Sequence, residues 1–156
     1  MLNVYSVAFF GHRHIENVFE VTEKLQRVIR ELMSENEYVE FLVGKNGEFD
    51  VLSASGVKTA KKEYRNDNSS LCLILPYTTA EVRDNRKAFY DYFDEIEVCK
   101  EAEEAHRKAS ITIRNRKMAE RANCIICYID HKSGGAYAAV KHAEKLGKKI
   151  INLAEK

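Results

Sequence analysis

The sequence has 156 residues, with 25 Lys and Arg against 24 Asp and Glu, and is 45% hydrophobic. That length suits one domain that buries about two-thirds of the surface its unfolded chain would expose, so neither a disulfide nor a metal is needed to hold it together. A formal net charge of +1 argues against nucleic acid as a partner while leaving room for a local basic patch. No apolar run approaches the ~20 residues of a membrane helix, and the start Met1-Leu2-Asn3-Val4-Tyr5 lacks a secretory signal, which excludes a membrane partner and predicts a cytoplasmic protein.

Val4 to Phe10 is an apolar run ending in Gly11 and reads as a first strand buried on both faces. After the polar loop Gly11-His12-Arg13-His14-Ile15, Asn17 and Glu20 have the spacing of a capping box. Val18, Val21, Leu25, Val28, Ile29 and Leu32 then repeat at helical spacing. Tyr38 to Val43 is the second strand, closed by Gly44 and a polar turn through Gly47, with Asp50 as the expected N-cap of a helix through Val51, Ala54, Val57 and Ala60. Leu71 to Leu75 is a third strand, stopped by Pro76, the only proline. Strand, helix, strand, helix, strand in this order predicts parallel pairing with right-handed connections.

The stretch 76–93 is aromatic and irregular, and reads either as a surface helix with half-buried aromatics or as a flap over a site. Glu95 to Val98 is a short strand candidate, followed by a charged helix start at Lys100 to His106. A helix through Ile111 to Met118 leads into the strand Cys124 to Ile129. The turn Ser133-Gly134-Gly135 opens a last helix that stops at Gly147 before a strand over Lys149 to Leu153. The pattern as a whole predicts a Rossmann-like three-layer α/β domain with a mostly parallel sheet.

On a helical wheel, Ile111, Met118 and Ala122 set the core direction, so Arg114 and Asn115 flank it and Arg116 points away toward Glu120. A guanidinium at a core margin needs a carboxylate or an anionic ligand, and its planar donor set suits phosphate. Gly134 and Gly135 let the backbone approach a ligand and aim N–H groups at it. Gly11, His12 and Arg13 follow the first strand, and so share the carboxyl edge of a parallel sheet with that turn. Glu48 and Asp50 are the carboxylates at the second glycine-bracketed strand end, candidates to hold a ribose hydroxyl or to act as acid or base. His12 and His14 lack an acidic or third histidine partner nearby in sequence. Cys124 and Cys127, three apart on a strand, point to opposite faces as structural thiols. Neither a metal site nor a cofactor is expected.

Gly11-His12-Arg13, Gly44 to Asp50, Pro76-Tyr77, Arg114-Asn115-Arg116 and Gly134-Gly135-Ala136, each after a strand or ahead of one, together resemble the YspA/YpsA-like branch of the SLOG superfamily. The resemblance implies binding or sensing of a nucleotide-derived small molecule by Gly11, His12, Arg13, Gly44, Gly47, Asp50, Pro76, Tyr77, Arg114, Asn115, Ser133, Gly134 and Gly135, and a homodimer. The same superfamily holds the Lonely Guy phosphoribohydrolases, whose arginine–lysine motif Arg116-Lys117 resembles, and DprA, which binds single-stranded DNA. The hydrolases follow their glycine turn with threonine and a glutamate pair; this chain has Ala138, Val140 and Lys141 at comparable positions, so a nucleotide N-glycosidase here requires Glu48 or Asp50 as its carboxylate. A DNA-binding role would rest on Arg13, Arg114 and nearby lysines.

Overall fold

Each apolar run identified above becomes a strand, and the polar segments between them become helices that cover both faces of one sheet. In the computed structural model, which describes residues 2–155, the strands are β1 (Val4–Gly11), β2 (Tyr38–Val43), β3 (Ser69–Leu75), β4 (Glu95–Val98), β5 (Cys124–Tyr128) and β6 (Lys149–Asn152). The helices are α1 (Val18–Glu35), α2 (Glu48–Glu63), α3 (Ala80–Asp84), α4 (Arg86–Tyr92), α5 (Lys100–Glu104), α6 (Arg107–Arg121) and α7 (Gly135–Lys145). The sheet order is β4-β3-β2-β1-β5-β6, parallel throughout. No helix among the described residues is long and apolar enough to cross a membrane.

Strand alternation divides the core in two. Val7, Phe9, Phe41, Cys124 and Ile126 face α1 and α2, where Leu25, Ile29, Phe49 and Val57 meet them. Ala8, Phe10, Leu42, Ile125 and Cys127 face the opposite layer, against Met118 and Ala119 of α6 and Ala139, Val140 and Ala143 of α7. Cys124 and Cys127 thus lie on opposite faces as their spacing requires, and both are fully buried. Burial of each large side chain in these layers is worth about 1.5–3 kcal/mol. Small residues on α7 let that helix sit close to the sheet.

Several local expectations are corrected. Asn17 precedes α1 in a left-handed conformation (φ 47°) and its side chain makes no cap bond, so the box with Glu20 does not form. The cap of α2 is Gly47, not Asp50, and the helix begins at Glu48. Asp50 lies in the first turn, where its carboxylate accepts from the Asn46 N–H at 2.8 Å and braces the β2–α2 loop. The stretch 76–93 folds as α3 and α4, with the Thr79 hydroxyl accepting from Val82 N–H at 3.3 Å; Phe93 is buried while Tyr90 and Tyr92 are exposed. The charged segment ends at Glu104, and a separate helix starts at Arg107 behind His106, whose ring nitrogen accepts from the Lys108 N–H at 3.2 Å.

Candidate functional site

From β1 the chain builds the sheet outward through β2, β3 and β4, then returns to place β5 on the other side of β1. The loops after β1 and β5 part at that point, leaving a crevice at the carboxyl edge of the sheet. A cavity of about 510 Å³ occupies it, within the range of small-molecule sites. The loop after β1 contributes Gly11, His12 and Arg13; the loop after β2 contributes Gly44, Asn46, Gly47 and, on the first turn of α2, Asp50. Arg114 and Asn115 come from α6, and Ser133, Gly134 and Gly135 from the turn ahead of α7.

Arg114 is deeper than the helical wheel suggests. The buried stripe of α6 runs Ser110, Arg114, Met118, so the guanidinium stands in the middle of that stripe with 2% of its surface exposed. Its Nη1 donates to the Ile74 carbonyl at 3.0 Å and its Nε to the Asn115 side-chain oxygen at 3.0 Å. The Asn46 amide, oriented so that both its ends are satisfied, accepts from Nη2. A guanidinium carries five N–H donors and these contacts use three, so two are left for an anion. Among the described residues Arg114 makes no direct ion pair; Asp50 supports its charge at longer range.

Gly44 packs against that guanidinium: a Cβ at this position would lie 2.9 Å from Nη1. Asp50 is half-buried at the cavity wall, and desolvation holds its carboxyl above the usual aspartate range despite the Asn46 N–H and the Arg114 charge. Burial likewise lowers Arg114. Each of these charges is therefore under-solvated, the condition in which a polar ligand gains most from both.

The glycine turn is open. Gly134 has φ +93°, a conformation that favours glycine, and nothing lies within 4 Å of where its Cβ would be. It caps α7 without a side-chain hydrogen bond, and the first turn of that helix has no acidic residue. The first intrahelical donor is the Ala138 N–H, to the Gly134 carbonyl at 3.1 Å, so the preceding N–H groups and the helix dipole are free to receive an anion.

On the β1–β5 side, His12 is 8% exposed and its ring stacks on His131, with centroids 3.5 Å apart and planes at 12°. Burial, then the neighbouring His131, lowers the His12 pKa, which keeps its imidazole neutral at physiological pH. Asp130 stands beside the stacked pair, 2.7 Å from His131 Nδ1 and 3.4 Å from His12 Nε2.

Three of the expected residues fall elsewhere. The Glu48 carboxylate accepts from the Ile15 N–H at 2.7 Å and lies 3.7 Å from His14, anchoring the β1–α1 loop outside the cavity lining. Tyr77 carries Arg107 over its ring at 3.7 Å, and neither it nor Pro76 lines the cavity. Nothing in 76–93 does, so the flap expectation is corrected to two short helices beside the sheet. Glu120 pairs with Lys117 and His142 rather than with Arg116, which is exposed. Sequence reasoning missed Asn46, Asp130 and His131. The signal for the last two was their place just after β5, equivalent to that of His12 after β1.

The fold and this edge define a Rossmann-like α/β domain with its crevice at the switch point of a parallel sheet. Among solved structures, DNA processing protein A (DprA) from Streptococcus pneumoniae superposes with a TM-score of 0.66 at 15% identity, over 94% of this chain and 49% of that one. DNA processing protein A from Helicobacter pylori, described with a single-stranded DNA binding mode, gives 0.64 at 14%, over 94% and 63%. The molybdenum cofactor carrier protein of Chlamydomonas reinhardtii gives 0.57 at 14%, over 95% and 75%. At these identities the likeness is one of fold, and this chain spans about half the length of the S. pneumoniae protein. No family model and no curated protein sequence matches the chain.

Proposed function

We propose that this protein binds a nucleotide or nucleotide-derived small molecule at the carboxyl edge of its sheet. The observation that carries the reading is Arg114, buried to 2% exposure with no direct carboxylate partner, sharing one cavity with an uncapped helix N-terminus at Gly134 and Gly135. A buried guanidinium left with spare donors calls for an anion, and a glycine turn at a helix N-terminus suits phosphate. Asp50 and Asn115 then face the sugar, where a carboxylate and an amide suit hydroxyl groups. The YspA/YpsA-like assignment belongs to this proposal and rests on the residues at the strand ends; a homodimer belongs to it only as what that resemblance implies.

Asp50 favours a second reading, cleavage of the base–ribose bond. It is the cavity carboxylate on α2, placed where a carboxylate could meet the charge that develops on the ribose as that bond breaks. Single-stranded DNA is a third, favoured by the fold shared with H. pylori DprA.

The experiment is a thermal-unfolding panel of nucleotides, dinucleotides and ADP-ribose derivatives, followed by chromatography of each stabilising compound for released base. Stabilisation by one nucleotide class without base release supports binding; release lost in Asp50→Asn supports the enzyme. No stabilisation by any member, with a salt-sensitive gel shift on single-stranded DNA, would move the reading to DNA.

A further inference from the structure

The stacked histidines and the aspartate beside them have a chemistry that anion binding does not use. His12, held after β1 by its own N–H on the Tyr128 carbonyl at 3.3 Å, presents Nε2 toward the loop after β5. That nitrogen is buried and has no hydrogen-bond partner among the described residues: the Asp130 oxygen at 3.4 Å is near enough to interact by charge but is not aligned as a hydrogen bond. An unsatisfied buried imidazole nitrogen is costly unless something is meant to meet it. The His12 and His131 nitrogens and an Asp130 oxygen all lie within 4.8 Å of one another. We propose that His12, Asp130 and His131 bind one divalent transition-metal ion, of the zinc or cobalt type, at the β1–β5 edge of the cavity.

The distances suit such an ion. Tetrahedral bonds of about 2.0–2.2 Å put ligand atoms roughly 3.3–3.5 Å apart. The His12 to Asp130 separation of 3.4 Å already matches. The 2.7 Å between His131 Nδ1 and Asp130 must open by a few tenths of an ångström, and the His131 ring must swing out of its stack on His12 so that its nitrogen points at the ion in the plane of its own ring; the His131 and Asp130 side chains are about half exposed and have room to turn. Two imidazoles and a single carboxylate select a borderline ion over magnesium or calcium, which take mainly oxygen ligands. Three protein ligands leave a fourth position toward the cavity, the arrangement of an open rather than a closed site.

The alternative cluster, Cys72 with Glu95 and Glu97, is a poor competitor. The Arg121 guanidinium sits 2.8 Å from Glu97 and supplies the positive charge there already.

The site is tested without any nucleotide. Tag-free protein, stripped with a chelator and returned to chelator-free buffer, is titrated with Zn²⁺ by calorimetry and with Co²⁺ by visible absorption. One equivalent should bind, and the Co²⁺ form should show the intense bands of low-coordinate nitrogen and oxygen ligation. His12→Gln, Asp130→Asn and His131→Ala should each weaken binding at least tenfold with unchanged circular dichroism, while His14→Ala, whose ring faces Glu48, should bind as the wild type does. Absence of a saturating equivalent, or equal affinity in folded His12→Gln and His131→Ala proteins, would overturn the proposal. Because the titration contains no nucleotide, its failure leaves the nucleotide reading intact.

Discussion

Replacing Arg114 by Met tests the two roles of a buried guanidinium, since methionine keeps an unbranched stem of similar length and removes the planar group at its end together with its charge and donors. The bond from Nη1 to the Ile74 carbonyl, 3.0 Å long, is charge-assisted and worth about 1.5–3 kcal/mol, and leaving that carbonyl unpaired costs about 1–3 kcal/mol more. Against this, removing a cation that is 2% exposed relieves a desolvation penalty of several kcal/mol. The bonds from Nε to Asn115 and from Nη2 to Asn46 go as well, so the variant without ligand should be less stable than wild type by about 1–3 kcal/mol and still fold. Phosphate affinity has no such compensation. Loss of a charge-assisted contact of about 1.5–3 kcal/mol raises Kd roughly 10- to 100-fold. Wild type at 100 times its Kd gains about 2.7 kcal/mol, a rise of roughly 5–11 °C in Tm at about 2–4 °C per kcal/mol. The same ligand concentration on a variant 100-fold weaker gives about 0.4 kcal/mol, or about 1 °C. Parallel melts of both proteins, with and without the nucleotide, measure all four numbers. An Arg114→Met protein that keeps the full ligand shift would refute the placing of the phosphate near this residue.

Three further outcomes follow from the same geometry. Gly44→Ala puts a methyl 2.9 Å from Arg114 Nη1, and because the guanidinium is enclosed the overpacking should cost about 1–3 kcal/mol, seen as a lower Tm; a wild-type melt would show that Arg114 yields freely. The Asp50 carboxyl has a folded pKa above its unfolded value, so its ionisation weakens the fold as pH rises from the unfolded pKa through the folded one. Asp50→Asn should therefore match wild type near pH 3 and exceed it at pH 7, and denaturant titrations showing the reverse order would contradict the burial argument. Cys127 is fully buried with its thiol pushed up to about 12, and Cys124 is raised as well, so neither should react with an aromatic disulfide reagent at pH 8 until denaturant is added; peptide mapping would reveal native labelling.

The strands and their parallel direction were readable from the chain, because buried parallel strands are continuous apolar runs separated by helical repeats. The loops at their carboxyl ends were readable for the same reason. What escaped was anything that depends on which strands are neighbours. His12 seemed to lack metal-ligand partners because Asp130 and His131 lie far along the chain, and only the β1–β5 pairing of Gly11 with Tyr128 brings them together. Helical spacing alone centres the buried face of α6 on Ile111 and so leaves Arg114 at its margin. Packing instead centres that face on Ser110, Arg114 and Met118, which sets a charge where periodicity expects an apolar residue. The two acids in the first turn of α2 are indistinguishable by spacing. Their fates divide because Glu48, at the first position of the helix, reaches the Ile15 N–H, while Asp50 turns back to Asn46 and the cavity.

The central claim is that an anionic ligand sits on the turn before α7 and beside Arg114, and amide NMR reads that turn directly. Isotope-labelled protein titrated with the nucleotide that most raises Tm should show its largest amide shifts at Gly134, Gly135 and Ala136, with Gly44 and Asn115 moving at the same ligand concentration. Saturable shifts confined to other surfaces, with the amides of 133–136 unmoved, would contradict the account.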